Sequence, residues 1–300
     1  MPRPQPADLP DAVTGAAKDV ERYMRLFVHE SGLPTNLREA VEYALLSPGK
    51  RLRPVLVANA AAAVGGNAES WLPAAAAVEM IHAFSLVHDD LPALDNDDLR
   101  RGRPTLHVAH GEAMAILAGD GLMSLAFQVL AAKCPPALAG VLTAELAVGN
   151  TAMIAGQVLD TLGGFDPALT PVQKLELIHR NKTGALIRAS CRMGALSAIG
   201  PAPDSDPRLA AVTRYAEAIG LMFQVVDDLL DVEQTSDHTG KRTGKDLDAG
   251  KLTYPGVLGV DATRREVQRL RQASWEALVP LGPGAEGLRQ IAAYLAVRTK

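Results

Sequence analysis

The sequence predicts an all-α protein built as a single domain. Apolar residues recur with helical periodicity through nearly the whole chain, and alternating runs typical of β-strands are nearly absent. Ala, Leu and Val dominate, and the apolar share of 48% is enough for a large core. No Ser/Gly-rich or low-complexity stretch divides the 300 residues, so one helical domain over residues 11–300 is expected.

Turn and capping signals mark the ends of the predicted helices. Gly65-Gly66 and Gly163-Gly164 are typical helix stops, and Thr170-Pro171 places an N-cap before a first-turn proline. The first ten residues hold four prolines without periodicity and are predicted to be a disordered tail. Two less regular stretches, 92–110 and 234–253, are rich in charged residues and glycine and are predicted to be functional loops. The predicted helices span residues 11–30, 35–46, 51–65, 69–91, 111–133, 137–162, 171–200, 207–233, 255–280 and 284–298.

Composition and charge exclude several classes of protein. The net charge of −4 argues against a general nucleic-acid binder. The tail lacks the apolar segment of a signal peptide. No apolar run is expected to reach the ~18–20 residues that span a bilayer, because the longest are broken by Glu79, His82 or Asp89. Cys134 and Cys191 lack metal-ligand spacing and read as small buried hydrophobes, so we expect a cytoplasmic protein without stable membrane insertion.

One predicted helix ends in a cluster of carboxylates, in the segment HAFSLVHDDLPALD. His82, Ser85 and Asp89 fall on one helix face, at i, i+3 and i+7. Pro92 cannot continue the helical hydrogen bonds, so the helix should end near Asp90. Asp95 can then turn back toward the same point.

A second apolar helix ends in the same way, in MFQVVDDLLD. Gln224, Asp227 and Asp231 share a face, and Asp228 lies beside them. Carboxylate oxygens are the ligands that hard cations such as Mg²⁺ prefer, and a bound cation relieves the repulsion among clustered acids. Two such clusters on apolar helices therefore favour a divalent-metal site over a solvated acidic helix end.

Basic residues accompany both clusters. GKRLRP carries three cations in five residues, Arg100 and Arg101 follow the first acids, and several lysines follow the second. Arginine suits bidentate contacts to phosphate, and lysine acts as a point charge. Acids and bases together predict a phosphorylated ligand held through metal ions.

These residues together resemble the trans-prenyl diphosphate synthases, and most closely the bacterial farnesyl diphosphate synthases. The resemblance covers roughly residues 35–300. Six motifs occur in the family's order: GKRLRP, DDLPALDNDDLRRGRPT, GQVLD, HRNKTGALI, FQVVDDLLD and GKLTYP. Pro48 departs from the pattern, because many relatives have a second glycine there.

The resemblance implies an all-α bundle around a deep central cavity, three Mg²⁺ per active site with Mn²⁺ as a substitute, and a homodimer. The substrates it implies are isopentenyl, dimethylallyl and geranyl diphosphates. The implied metal ligands are Asp89, Asp90, Asp95, Asp227, Asp228 and Asp231. The implied ligands of isopentenyl diphosphate are Lys50, Arg53, His82 and Arg101. The allylic diphosphate would be held by Arg100, Lys182, Lys245 and Lys251, and the carbocation stabilised by Thr183 and Gln224.

Product length is expected to depend on Phe84 and Ser85. At 1.5 Å per residue Phe84 lies about 7.5 Å below Asp89, where a growing chain arrives after two or three isoprene units. A ring there would act as a floor and favour a C15 product, unless Phe84 only packs in the core. Three alternatives stay open: a geranylgeranyl diphosphate synthase, a squalene-type or cyclising terpene synthase, and a non-catalytic subunit of a heteromeric prenyl synthase.

Overall fold

The chain folds almost entirely into helices, as the sequence predicts. The structure is a computed structural model, and it describes residues 15–66, 70–237 and 252–298, without the side chains of 233–237. The only strands among these residues form one short antiparallel hairpin, β1 (Leu99–Arg100) with β2 (Arg103–Pro104). The helices are α1 Ala16–Glu30, α2 Thr35–Leu45, α3 Leu52–Ala63, α4 Leu72–Asp89, α5 Leu106–His110, α6 Glu112–Lys133, α7 Pro136–Leu162, α8 Pro171–His179, α9 Ala185–Ile199, α10 Pro207–Asp237, α11 Tyr254–Leu258, α12 Val260–Ala277 and α13 Glu286–Val297.

Most predicted helix ends lie within a few residues of the observed ones. Thr170 caps α8 with a full capping box, and Gly163 and Gly164 both take the positive φ expected of helix stops. The predicted helix 171–200 is interrupted by a π-helical turn at Arg180–Gly184. The predicted helix 255–280 is divided at Gly259, and a 3₁₀ segment, Val279–Ala285, follows it.

Backbone contacts divide the chain into two compact units. The amino-terminal unit comprises the described part of Thr14–Ala147 with Ala189–Ala202. The carboxy-terminal unit comprises Val148–Arg188 with the described part of Pro203–Lys300. The single domain over residues 11–300 stays a prediction.

Small residues allow the helices of the amino-terminal unit to pack closely. The four consecutive alanines 74–77 of α4 are fully buried. A Cβ at Gly194 of α9 would lie 2.1 Å from the carbonyl oxygen of Val57 in α3, so only glycine permits this approach. Cys191, in the same turn of α9, is buried as expected, whereas Cys134 is partly exposed.

In the carboxy-terminal unit the long helix α10 forms the centre of the core. Tyr215 is fully buried and donates a hydrogen bond to the carbonyl of Leu288 in α13, at 2.7 Å. The π turn approaches α10 where two glycines meet, since a Cβ at Gly220 would lie 2.9 Å from the Cα of Gly184. This contact places the π turn against the helix that carries the second acid cluster.

Three helices are long and apolar enough to cross a membrane by length and composition. They are α6, α7 and the Pro207–Val232 part of α10, with mean hydropathy 1.6, 1.4 and 1.3. The expectation that no apolar run reaches spanning length is therefore wrong for these helices, because an 18-residue window stays apolar on average despite one or two charges. The lack of stable membrane insertion remains a prediction.

Candidate active site

The amino-terminal unit contains a pocket of about 600 Å³, part of it open to solvent. Its walls come from the end of α2, one face of α4 and the hairpin β1–β2. Charged residues of both signs line it, including Arg51, Glu79, Arg100 and Arg101, and His82 lies among them. The four residues predicted to bind isopentenyl diphosphate are therefore divided, because His82 and Arg101 line the pocket whereas Lys50 and Arg53 do not.

Arg51 is the most buried arginine that lines the pocket. It is 5% exposed, and its guanidinium donates to Glu21, to Glu79 and to the carbonyl of Ser47, at 2.8 to 2.9 Å. A buried charge is costly without partners, and these hydrogen bonds supply them. Arg51 therefore stabilises the loop before α3. Its backbone has φ +48°, so the loop before α3 is held in a conformation that L-residues rarely adopt.

Arg101 reaches the pocket across the same loop. Its guanidinium donates to the carbonyl of Pro48 at 2.7 Å, and a Cβ at Gly49 would lie 2.1 Å from its Nη1. A side chain at position 49 would therefore displace the guanidinium of Arg101 from this position. Pro48 thus supplies a carbonyl that orients Arg101.

Arg53 is half-buried beside these groups, and its buried Nε has no hydrogen-bond partner in the described part of the chain. Burial lowers the pKa of Arg53 to about 10, Glu79 opposes that shift, and Arg101 adds to it. The second carboxylate oxygen of Glu79 also lacks a partner there. Several cations with an unused donor form a site that favours a multiply charged anion such as a diphosphate.

His82 is the neutral member of this basic pocket. Burial lowers its pKa well below the usual 6.5, and the charges of Arg53, Arg101, Arg100 and Arg51 lower it further. A neutral imidazole can still donate one hydrogen bond to a phosphate oxygen. A lowered pKa makes the imidazole a weak proton acceptor, so His82 fits the predicted binding role better than that of a general base.

The pKa of His82 predicts a specific loss of stability in acid. The unfolded chain takes up a proton at this histidine below about pH 6.5 whereas the folded chain does not, so the folded state loses up to about 1.4 kcal/mol per pH unit below that value. At higher pH both states are neutral and the effect vanishes. Urea unfolding between pH 5.5 and 7.5 should show a shallower acid dependence in His82→Asn than in the wild type, and equal slopes would contradict the assignment.

The first acid cluster lies where α4 ends, as predicted. The amide of Asp95 donates to the carbonyl of Asp89 at 2.8 Å, so the chain turns back after Pro92. Asp90 is 3% exposed, and the guanidinium of Arg100 donates hydrogen bonds to both of its carboxylate oxygens. Asp89 and Asp95 are more accessible than Asp90.

In the second cluster, as in the first, one aspartate of the adjacent pair is buried and the other is more exposed. Asp228 is 6% exposed and accepts the backbone N–H of Tyr254 at 2.8 Å, with the Nε2 of His179 at 3.3 Å. The rings of His179 and Tyr254 stack on each other. In contrast, 39% of the Asp227 side chain is exposed to solvent, and its carboxylate pairs with Arg298. In each adjacent pair the second aspartate is thus buried, and the first is more exposed to solvent.

The described carboxylates fit a magnesium site of a particular kind. No group of three or more His, Cys, Asp or Glu side chains is gathered into a ready metal cage in residues 15–66, 70–237 and 252–298. Mg²⁺ is commonly held by one or two carboxylates, with phosphate oxygens and water completing the octahedron. Asp89 with Asp95, and Asp227 with Asp231, supply oxygen-only donors that suit such a site. The contacts of Asp90 and Asp228 favour an anchoring role over the predicted coordination.

The π turn places the predicted carbocation-stabilising pair in contact. Thr183 Oγ1 donates to Gln224 Oε1 at 2.9 Å, and the neighbouring Lys182 pairs with Asp160 of the GQVLD motif at 2.5 Å. A Cβ at Gly156 would lie 2.2 Å from the backbone nitrogen of Lys182, so α7 touches the turn directly. π turns inside helices often occur at functional sites.

Phe84 lies buried in the amino-terminal unit with 7% of its surface exposed. Its ring meets that of His88 edge to face, with centroids 4.9 Å apart. His88 lies within 3.2 Å of the carbonyl of Ile116, and a Cβ at Gly119 would collide with its ring. Ser85, one residue on, is partly exposed and donates to the carbonyl of His82. Phe84 is therefore held in one position below Asp89.

Two predicted ligands of the allylic diphosphate, Lys245 and Lys251, lie outside the described residues. Most of the predicted loop 234–253 is outside them as well, and α10 continues to Asp237. Lys50 is exposed just before α3.

Comparisons with known proteins agree with this geometry. The family model described as polyprenyl synthetase matches residues 34–276. The chain belongs to the polyprenyl synthetase family. It is a trans-prenyltransferase, and the family's substrates are small isoprenyl diphosphates.

Individual polyprenyl synthetases resemble the chain over most of its length. Geranylgeranyl pyrophosphate synthase 7, chloroplastic, from Arabidopsis thaliana is 47% identical over 250 residues, which are 82% of this chain and 71% of that protein. The crystal structure of a geranyltransferase from Legionella pneumophila gives a TM-score of 0.83 at 33% identity, with 95% of this chain and 96% of that chain covered. The apo structure of an FPP/GFPP synthase from Zymomonas mobilis gives 0.82 at 32% identity, with 97% and 100% covered. The all-α isoprenyl synthase fold is confirmed.

Sequence patterns do not identify several residues of the site. Glu79 and Asp160 lie inside recognisable helices, but helical periodicity predicts no partner for either. Arg51 is distinguished by the sequence only as one of three clustered cations. His179 and Arg298 pair with Asp228 and Asp227 from 49 and 71 residues away. No local pattern announces contacts at such separations.

Proposed function

We propose that this polyprenyl synthetase condenses isopentenyl diphosphate head to tail with dimethylallyl diphosphate and then with geranyl diphosphate, giving farnesyl diphosphate. The observation that supports the C15 product is Phe84. Its aromatic ring is buried five residues before Asp89 and fixed by His88. A ring held there would limit the length of a chain that grows down from the aspartates.

In this proposal the basic pocket binds the diphosphate of isopentenyl diphosphate. Arg101, already oriented by Pro48, and the unused Nε of Arg53 supply donors, and neutral His82 adds one more. The positive potential of the pocket attracts the anion. Lys50 at the start of α3 would add its charge on the exposed side.

The allylic diphosphate is proposed to be held by three Mg²⁺ on the carboxylates of the two clusters, with Arg100, Lys182, Lys245 and Lys251. Magnesium, when bound, neutralises the negative charge that develops as diphosphate leaves. Arg100 contacts Asp90 now, so the same guanidinium can orient that carboxylate and face the leaving group. Lys182 is positioned by Asp160 in the same way.

The reaction itself would proceed by ionisation, condensation and elimination. The allylic C–O bond breaks, the double bond of isopentenyl diphosphate forms a new C–C bond with the cation, and a proton is lost to the departed diphosphate. The hydroxyl of Thr183 donates a hydrogen bond to Gln224. The lone pairs of the Thr183 oxygen therefore remain available to a nearby positive charge. No protein base is required.

A second candidate is geranylgeranyl diphosphate synthesis, and the Arabidopsis relative bears that name. The two candidates share every residue of the diphosphate sites and differ only in where elongation stops. The relatives support C20 at least as well as Phe84 supports C15.

Product analysis decides between the two. The protein is incubated with Mg²⁺, dimethylallyl diphosphate and isopentenyl diphosphate, and the dephosphorylated products are separated by chromatography. We expect C15 from the wild type and C20 or longer from Phe84→Ala, because removing the ring opens space below the site. Phe27→Ala, which removes an equally buried ring from α1, serves as the matched control and should keep C15.

Other outcomes of this incubation are equally clear. A C20 product from the wild type supports the second candidate. Unchanged products from Phe84→Ala would show that another helix sets the floor. No turnover at all favours the non-catalytic subunit.

We also propose that the protein is a cytoplasmic homodimer. Large apolar side chains are exposed along α6, at Ile116 and Leu117, and along α7, at Val148, Val158 and Leu162. Large apolar side chains exposed on either of these helices favour a contact with another protein.

A further inference from the structure

The residue that follows the last helix lies against the second acid cluster. Arg298 comes directly after α13 and is 8% exposed. One terminal nitrogen of its guanidinium donates to the carbonyl of Phe223, at 2.9 Å, and to Oδ1 of Asp227. The guanidinium also lies over the Phe223 ring, 4.0 Å from its centroid. Arg298 thus spans one turn of α10, from Phe223 to the first aspartate of the pair.

This arrangement places a protein cation where the proposed function places a metal ion. Asp227 is the outward-facing carboxylate of its pair, since Asp228 is occupied by Tyr254 and His179. The adjacent carboxylates of Asp227 and Asp228 repel each other, and the guanidinium of Arg298 offsets that repulsion while no metal ion is bound.

The contacts of Arg298 also permit it to release Asp227. Two of the three, the Phe223 carbonyl and the Phe223 ring, do not involve the carboxylate. Its buried Nε makes no hydrogen bond in the described part of the chain and is free to take a new oxygen acceptor. A small pivot would therefore break only the ion pair and leave the arginine anchored.

We propose that Arg298 is a positioning residue that neutralises Asp227 in the metal-free protein and is displaced when a divalent cation binds. The proposal rests on the proposed function, which assigns a metal ion to Asp227. It predicts that Arg298 weakens metal binding at this carboxylate, because the ion must compete with a charge already in place. The ion pair also holds the Asp227 carboxylate in one orientation before the metal arrives.

The test measures metal binding rather than turnover. Mn²⁺ is titrated into the full-length protein at constant inorganic pyrophosphate, and free Mn²⁺ is counted by electron paramagnetic resonance. Asp227→Asn and Asp89→Asn identify the ions that depend on each cluster. We expect Arg298→Gln to tighten the Asp227-dependent ion about three- to tenfold and to leave the Asp89-dependent ions unchanged. Arg289→Gln removes the same charge from an earlier turn of α13, where Arg289 pairs with Glu286, and should change neither.

Each result separates the proposal from the function on which it rests. Asp227-dependent binding that is equal in the wild type and Arg298→Gln overturns the proposal and leaves the function standing. Weaker binding in Arg298→Gln overturns it too, because the arginine would then assist the metal. If no bound ion depends on Asp227 in any variant, the assignment of a metal to Asp227 fails together with the proposal.

A measurement on the unaltered protein covers the case in which Arg298→Gln folds poorly. Phenylglyoxal labels accessible arginines, and mass spectrometry reports the extent at each one. Adding Mg²⁺ alone should increase labelling of Arg298 at least threefold relative to Arg192, which is buried in a pair with Glu145. Labelling that does not change with Mg²⁺ would overturn the displacement.

Discussion

Asp89→Asn is expected to lower the turnover number by at least about a thousandfold, or about 4 kcal/mol in the activation free energy. Asp89 is the outward-facing carboxylate at the end of α4, whereas Asp90 beside it is engaged by Arg100. Loss of one anionic ligand weakens the hold on the ion that neutralises the leaving diphosphate, a contribution of several kcal/mol. Steady-state kinetics with geranyl and isopentenyl diphosphates at saturating Mg²⁺ measures this loss.

The same substitution should leave the fold intact or stabilise it. A carboxylate in the last turn of a helix faces the negative end of the helix dipole, which costs about 0.3–1 kcal/mol at a partly exposed position. Thermal unfolding of Asp89→Asn without metal should therefore show an unchanged or slightly raised midpoint. Large activity loss with unimpaired stability distinguishes a functional carboxylate from a structural one.

Asp98→Asn provides the matched control for this experiment. It removes the same charge from an exposed side chain in the same acidic loop, three residues beyond Asp95. We expect its turnover to stay within about threefold of the wild type. If Asp89→Asn kept more than a tenth of the wild-type rate, the metal role of Asp89 would be refuted.

The difference between Asp89 and Asp90 shows what the sequence predicts and what it leaves open. Helical spacing and Pro92 correctly place both carboxylates at the end of α4, because these are local effects of backbone geometry. Spacing says nothing of which carboxylate meets Arg100, since the answer depends on how the hairpin folds back. The same holds for Asp227 and Asp228, whose partners come from distant segments.

The π turn is a second feature whose backbone conformation depends on tertiary packing and not on the local sequence pattern. HRNKTGALI reads as continuous helix by periodicity, and the helix is present on both sides of the turn. The extra residue per turn arises where Arg180–Gly184 is pressed between α7 and α10, with glycines at both contacts. Sequence reasoning found Thr183 and Gln224 through the family resemblance. Their 2.9 Å hydrogen bond follows from the packing.

Gly156→Ala tests that packing directly and should both destabilise the protein and reduce its activity. The added Cβ would lie 2.2 Å from the nitrogen and 2.6 Å from the Cα of Lys182. These are backbone atoms that no rotamer change can move, so α7 must shift away from the π turn. We expect a loss of at least about 1–3 kcal/mol in the free energy of unfolding, as overpacked cores show. Urea denaturation gives this value.

The activity of Gly156→Ala should fall further than its stability explains, because the shift disturbs the site itself. Asp160 lies one turn beyond Gly156 on α7 and pairs with Lys182 of the π turn, so a shift of α7 away from the turn moves Asp160 away from Lys182. The turnover number, measured at a temperature where the variant is fully folded, should fall at least tenfold.

Gly140→Ala on the same helix is the control, since a Cβ there meets nothing within 4 Å. It should stabilise the protein by about 0.5–1 kcal/mol through helix propensity and leave turnover unchanged. Equal effects of the two substitutions would mean that the close contact at Gly156 neither stabilises the fold nor positions Lys182.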